Sequence, residues 1–423
     1  MKGNTFYYIA LLMLSTACIL ATGCEEEITF KNAPPGNITI TKNKCFLATG
    51  SVLMLEGNAV DDDGDEVFYS WQAEDGTFTP QSGEGKEVAW TAPATPGTVR
   101  ITLKVTDRID ERTKSIDVEV GEKFPPFIAG HVTLTDNGYP YVLTSAGRQL
   151  ISSTSSLEIE SGVRIIIDSG SGGLLVRGDI IVKGTADRNV SFEPNACPGE
   201  EKIWGGIVLL GRDADGTFEH AQVFSADSCI QAVDGANCIL EDCWVRDNPT
   251  LGIGIFGNSV VEITNCHIEY NGTGLDVRNS NATVRTSSIS YNTKDGVYLE
   301  DTLGVKVALF EGCTVTNNNW NAFLVSDFYS PIITQCSIFS NGQYAIRLTF
   351  YPRGDTLKAE NNFWGLAYQD SASIAGVIYD AKDSPQTINA VVDFQPWLPD
   401  DPNLVRDGGF GRSRKTIWER LLR

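Results

Sequence analysis

The sequence predicts an all-β protein, an antiparallel β-sandwich followed by a right-handed parallel β-helix (solenoid). Three observations carry this. Residues 34–121 alternate apolar and polar side chains in short runs broken by Asp-Gly, Pro-Gly and Gly-Glu-Gly turns. From Cys243 onward, a unit of the form Cys-x-x-x-x-Asn returns at a period near 22. The 423 residues are 42% hydrophobic, with 41 Gly and 17 Pro, which suits folded domains rather than a disordered chain. The formal charge of −21 repels nucleic acid, which is therefore excluded as a partner. Three histidines leave little material for metal or general-base chemistry.

The chain opens with MKGNTFYYIALLMLSTACILATGC. Lys2 precedes an apolar run too short for a membrane span, which ends in small residues as a cleaved signal does. Leu20-Ala21-Thr22-Gly23-Cys24 resembles a bacterial lipobox, although Ala21 stands where Leu is usual. The resemblance implies a signal peptide over 1–23, lipidation of Cys24 and a tether over 24–33. Cys18 is a weaker competitor. Glu25, rather than Asp, after the cysteine points to the outer membrane or cell surface.

Residues 34–121 form the sandwich. Val99, Ile101, Leu103 and Val105, then Ile116, Val118 and Val120, mark strands with a period of two, as do Val52, Met54 and Glu56. Trp71 in YSWQA is the expected core aromatic. DDDGDEVFYSW, VAWTAPATPG and ITLKVTD resemble the PKD-like, immunoglobulin-fold domains of bacterial surface proteins, without the fuller Trp-Asp-Phe-Gly-Asp-Gly motif. Asp61, Asp62, Asp63 and Asp65 offer hard oxygen ligands on one turn. Of these, Asp61, Asp63 and Asp65 are the candidate Ca2+ site, with a solvated turn as the alternative. No other cofactor is indicated. Pro125 and Pro126 then enforce an extended linker over 122–127.

The region 128–399 is the β-helix. Cys243, Cys266, Ser287, Cys313 and Cys336 stand 23, 21, 26 and 23 residues apart. Each is followed two residues later by Val245, Ile268, Ile289, Val315 or Ile338, and five later by Asn248, Asn271, Asn292, Asn318 or Asn341. The units are too short for propeller blades and too rich in Val, Ile, Thr, Asn and Gly for helices. Three short strands per coil, stacked about 4.8 Å apart, satisfy the pattern. The cysteines then form a buried stack, and the asparagines an inward ladder. Within Cys266-His-Ile-Glu, His267 and Glu269 point outward, so the three polar residues do not converge on a metal.

Residues 141–195, with WGGIVLL, ENNFWG and VVDFQPWL, resemble secreted bacterial right-handed β-helix repeat proteins. That architecture serves lyases, hydrolases, epimerases and adhesins alike. Its polysaccharide lyases use a basic or phenolic proton acceptor beside a group that neutralises a uronate. The weak catalytic candidates here are Asp276, Arg278, Tyr298 and Glu300, outward on adjacent coils. An Arg278–Glu300 ion pair on a solvated face is the simpler reading. An outward row of Trp244, His267, Tyr270, Tyr291 and Phe339 could stack on sugars, with Trp244, Tyr270 and Tyr291 as candidate ligand-binding residues. A Cys197–Cys229 disulfide is one reading of the loop and corner cysteines, in which Cys45 is left unpaired, and the sequence does not fix the pairing of Cys197, Cys229 and Cys238. Residues 400–423 form a basic tail whose Ile417, Trp418, Leu421 and Leu422 suit a cap over the last coil. The functional expectation is a lipid-anchored envelope protein that binds polysaccharide or a cell-surface protein. The alternative is a carbohydrate-active enzyme.

Overall fold

The computed structural model describes residues 32–403, apart from 145–146, 169, 171, 303–305, 328, 352–353 and 355. Cys18, Cys24 and the apolar residues of the tail lie outside the described residues.

The sandwich pairs a four-stranded antiparallel sheet (Gly36–Lys42, Val52–Val60, Glu87–Thr91, Thr77–Thr79) with a second sheet containing Phe46–Ala48, Phe68–Ala73, Gly97–Thr106 and Glu111–Lys123. Leu53, Leu55, Trp71, Trp90, Ile101, Leu103, Val105, Val118 and Val120 fill the space between them. Trp71 is buried as expected, and its indole Nε1 donates to the Gly85 carbonyl at 3.0 Å. In the strand Val52–Val60 the inward set is Leu53 and Leu55, while Val52 and Met54 are 49% and 48% exposed. Both phases of VLML are apolar, so that short stretch does not fix which side faces inward.

The two halves share a sheet. The strand Glu111–Lys123 pairs antiparallel with Gly97–Thr106, and its end pairs in parallel with Tyr141–Leu143 of the solenoid. Glu122 and Lys123, assigned from the sequence to a linker, are the last residues of that strand. Phe124 and Ile128 follow it directly into the solenoid core.

Beyond the junction the chain winds through three parallel sheets. Successive coils pair in register: Trp244 with His267, Val245 with Ile268, Ile263 with Val284, and Leu275 with Val297. Fully buried residues such as Ile268, Ile289 and Val315 form continuous columns. Each contributes on the order of 1.5–3 kcal/mol by burial. Two polar ladders run beside them. In the first, the backbone N–H of Cys243 donates to Cys266 Sγ (3.4 Å), that of Cys266 to Ser287 Oγ (3.0 Å), that of Cys313 to Cys336 Sγ (3.4 Å) and that of Cys336 to Asn362 Oδ1 (2.8 Å). Each thiol or hydroxyl donates back to the carbonyl two residues earlier, as Ser287 does to Arg285 at 2.7 Å. A small side chain that both accepts and donates is required, and Ser and Cys serve equally. In the second ladder, Asn248 Nδ2 donates to Asn271 Oδ1 (2.7 Å), Asn292 Nδ2 to Asn318 Oδ1 (2.8 Å) and Asn318 Nδ2 to Asn341 Oδ1 (3.0 Å).

The residue just before each ladder member turns the corner with positive φ. Asp242, Asn265, Thr286 and Gln335 do so ahead of the first ladder, and Asp247, Tyr270, Tyr291 and Ser340 ahead of the second.

The disulfide is not the Cys197–Cys229 reading. Cys45 of the sandwich bonds to Cys197, with the Cα atoms 5.2 Å apart and a sequence separation of 152. Cys229 is a free, buried thiol directed at the Val223 carbonyl. The inserted loop carrying Cys197 leans outward onto the sandwich, whereas Cys229 points into the coil, so the two never approach. Asn195 reinforces the contact, accepting from the Cys45 and Phe46 amides and donating to the Phe46 carbonyl. Lys44 pairs with Asp168 at 2.6 Å.

Candidate ligand-binding face

The strands Thr273–Arg278 and Val297–Asp301 bring Asp276, Arg278, Tyr298 and Glu300 together on one exterior face. The expected Arg278–Glu300 ion pair is present but long, and a closer partner takes the guanidinium. Arg278 is held in bidentate fashion by Asp276, at 2.9 and 2.8 Å, while Glu300 stands 4.0 Å away. Side chains two apart on a strand share a face, and Asp276 is short enough to meet the guanidinium fork squarely. Glu300 instead accepts the Tyr298 hydroxyl at 2.7 Å, and Arg278 lies over the Tyr298 ring at 4.9 Å. Burial and the Glu300 carboxylate push the Tyr298 phenol upward, so it holds its proton. Burial also raises the Asp276 carboxyl, against the pull of Arg278. The phenol and the guanidinium are thus each held by a carboxylate on the same face.

Asp61, Asp63 and Asp65 also converge, with one carboxylate oxygen of each within 4.8 Å of the others. Asp61 Oδ1 accepts the amides of Asp63 and Asp65, and Asp61 Oδ2 is buried without a hydrogen-bond partner. Bound through one oxygen each, the three carboxylates supply three of the six to eight oxygens Ca2+ takes.

The outward aromatics do not form one row. Trp244 and His267 lie side by side on adjacent strands, centroids 4.9 Å apart and tilted by 48°. Tyr270 and Tyr291 stand one residue beyond the strands, at the positive-φ corner. They stack at 5.2 Å with 10° between planes and are 45% and 49% exposed. Phe339 packs edge-on against Phe363, away from both pairs. The strands of this face, such as Trp244–Arg246 and His267–Glu269, are three residues long. Corner residues therefore project beside the face rather than from it.

Two hollows flank this tryptophan face. On one edge Ala186, Asn189, His220, Gln222, Asp242, Trp244, Asn265 and His267 enclose about 230 Å³. On the other, a groove of about 830 Å³ runs between the solenoid and the inserted loop, its walls including Phe46, Glu193, Glu201, Ile203, Asp247 and Tyr270. The groove lies at the domain junction, a preferred place for ligands, and its size fits the range of about 300–1,000 Å³ for ligand sites. The Cys45–Cys197 bond fixes the loop wall. Sequence reasoning missed His220, Asp242 and Asn265, although Asp242 and Asn265 each directly precede a ladder cysteine. It also missed the groove, which depends on a contact between distant segments.

Residues 37–120 match the family model described as PKD domain, and residues 205–363 that described as Right handed beta helix region. Among solved structures the chain is similar to the periplasmic alginate epimerase AlgG, with 14% identity, 64% of this chain and 84% of that chain covered, and a TM-score of 0.33. It is similar to the catalytic unit of a GH87 alpha-1,3-glucanase from Streptomyces thermodiastaticus, with 10% identity, coverage of 88% and 86%, and a TM-score of 0.25. A nucleoside hydrolase-related hypothetical protein from Saccharophagus degradans, associated with carbohydrate metabolism, shares 18% identity over 21% of this chain, at a TM-score of 0.18. The match spans only 26% of that protein. No curated protein matches the chain. The antiparallel sandwich and the parallel coils agree with both matches: the protein is composed of a PKD domain followed by a right-handed β-helix.

Proposed function

We propose that this is an exported, lipid-anchored envelope protein whose solenoid binds glycan on the tryptophan face. The observation that carries the reading is the Tyr270–Tyr291 stack. A bulky residue at positive φ is costly, by on the order of 1–3 kcal/mol, and Asp or Asn suits that corner better. Two tyrosines accept the cost on adjacent coils and stand as a half-exposed stacked pair beside a preformed groove, each keeping an outer ring face free for contact. Sugar rings dock on such ring faces through their own apolar faces. The engaged state of Arg278 and Tyr298 favours binding over turnover. The sandwich then spaces the binding face from the membrane to which Cys24 is attached.

The test is affinity electrophoresis and calorimetry on a panel of neutral, amino and acidic polysaccharides. Tyr270→Ala with Tyr291→Ala should weaken binding at least tenfold without unfolding the protein. A panel that retains none of the wild type, or binding indifferent to both tyrosines, overturns the reading. For the anchor, Cys24→Ser should abolish acyl labelling and release the protein from membranes. Undiminished labelling would refute it.

A further inference from the structure

We infer that the glycan is non-acidic, neutral or amine-bearing, and that one of its sugar units sits in the hollow of His220, Asp242, Trp244, Asn265 and His267. This rests on the glycan-binding reading and adds a subsite and a ligand class to it.

The hollow is assembled by the solenoid's own repeat. His220, Asp242 and Asn265 occupy the same corner of three successive coils, with φ of 46°, 54° and 54°. Coil stacking sets their backbones about 4.8 Å apart, so three different polar side chains project at one-strand spacing. Asn265 donates to the Asp242 carboxylate, and His220 Nε2 stands 3.7 Å from Asp242 Oδ2, beyond hydrogen-bond reach. Asn189 and Gln222 add amides to the wall, and the Trp244–His267 pair closes one side. An aromatic ring opposite a mixed set of amides, imidazoles and one carboxylate can both donate to and accept from sugar hydroxyls. The hollow is far smaller than the groove and suits a single ring rather than an extended chain. From Trp244 to the corner at Asp247 is three residues, about 10 Å, so an oligosaccharide seated at Trp244 reaches the tyrosine pair across the face.

The charges decide the class. Three cations bordering the face are paired: Arg246 with Asp247 at 3.2 Å, Lys202 with Glu200 at 2.8 Å, and Arg164 with Glu193 at 3.1 Å. Asp242 in the hollow and Glu201 in the groove add negative charge. A uronate or sulfate would meet carboxylates in both hollows and a chain of net charge −21 around them. A neutral hexose meets no such penalty, and an amine would gain from Asp242.

The experiment compares three oligosaccharides of equal length by calorimetry: a chitosan oligomer (amine), its N-acetylated counterpart (neutral) and an oligogalacturonate (acidic). The first or second should bind at least tenfold tighter than the third. Asp242→Asn and Asn265→Gly both retain residues at home at positive φ, so the coil should fold, as circular dichroism would verify. Asn265→Gly should weaken the preferred probe about tenfold, and Asp242→Asn should weaken the amine probe more than the neutral one. Preference for oligogalacturonate overturns this inference and leaves the glycan-binding reading standing. Binding by the two non-acidic probes that ignores Asn265, Asp242 and Trp244→Ala overturns the subsite alone. Binding of none of the three overturns the inference, and the wider panel then decides the parent reading.

Discussion

Asn292→Ala tests the ladder that holds the coils in register. Asn292 Oδ1 accepts the Asn271 amide at 2.9 Å, and Nδ2 donates to Asn318 Oδ1 at 2.8 Å and to the Ile268 carbonyl at 3.3 Å. The backbone N–H of residue 292 also donates to Asn318 Oδ1, at 3.2 Å, and survives the substitution. Alanine therefore leaves one buried donor, the Asn271 N–H, without an acceptor, and one carbonyl underbonded. An orphaned buried group costs about 1–3 kcal/mol, so the sum is about 2–4 kcal/mol. Stability in a solenoid is carried between neighbouring coils, so the loss should concentrate there. Urea unfolding followed by circular dichroism reads the total. Hydrogen exchange by mass spectrometry reads the amide of residue 271, whose protection should fall at least about 30-fold, since every ~1.4 kcal/mol is tenfold. A loss below about 1 kcal/mol with unchanged protection at residue 271 would falsify the claim that the ladder, rather than the apolar columns alone, fixes the coils.

Four further outcomes follow from the same geometry. Cys266→Ser should be close to neutral because a hydroxyl reproduces both bonds of the thiol, Cys266→Ala should cost about 1–2 kcal/mol by stranding the Cys243 amide, and Cys266→Arg should unfold the local coils. Burial raises the thiols of Cys229, Cys238 and Cys336, so rapid iodoacetamide labelling of the native protein at these positions would contradict their burial in the coils. Arg278→Ala should cost about 1–2 kcal/mol at pH 7 and leave glycan affinity unchanged, because it strands the largely buried Asp276. The folded Asp276 carboxyl lies above its unfolded value, so its ionisation lowers stability as pH rises through that window. The cost of Arg278→Ala should therefore fade as pH drops toward about 4, and melts at pH 4 and 7 check the sign. Cys45→Ala with Cys197→Ala should lower stability by at most about 5 kcal/mol, the chain-entropy limit for so long a loop, and weaken binding in the groove, whereas unchanged affinity would show that the loop wall is not used.

The repeat was legible because stacking makes every coil solve the same problem. A side chain in the Cys243 column must be small, accept from one amide and donate to one carbonyl. One in the Asn271 column must bridge two coils. Such demands recur at each turn and print a period near 22 on the sequence, even where Ser287 or Asn362 takes the place of Cys. Asp242, Asn265, Tyr270 and Tyr291 were legible as corners in principle, since each directly precedes a ladder member. Their significance was not, because only the fold places His220, Asp242 and Asn265 beside Trp244, and separates Tyr270 and Tyr291 from it.

The sequence by itself determined the two domains, the parallel coils, the burial of the thiol column and the outward direction of His267 and Glu269. Each follows from local alternation and a short period, and these survive in any arrangement of the loops. Only the tertiary structure decided the Cys45–Cys197 bond, the shared sheet at the junction, the groove beneath the inserted loop and the partner that Arg278 chooses. Those depend on where segments far apart in the chain, or side chains of unequal reach on one strand, come to rest. No period records such contacts, because each is made once.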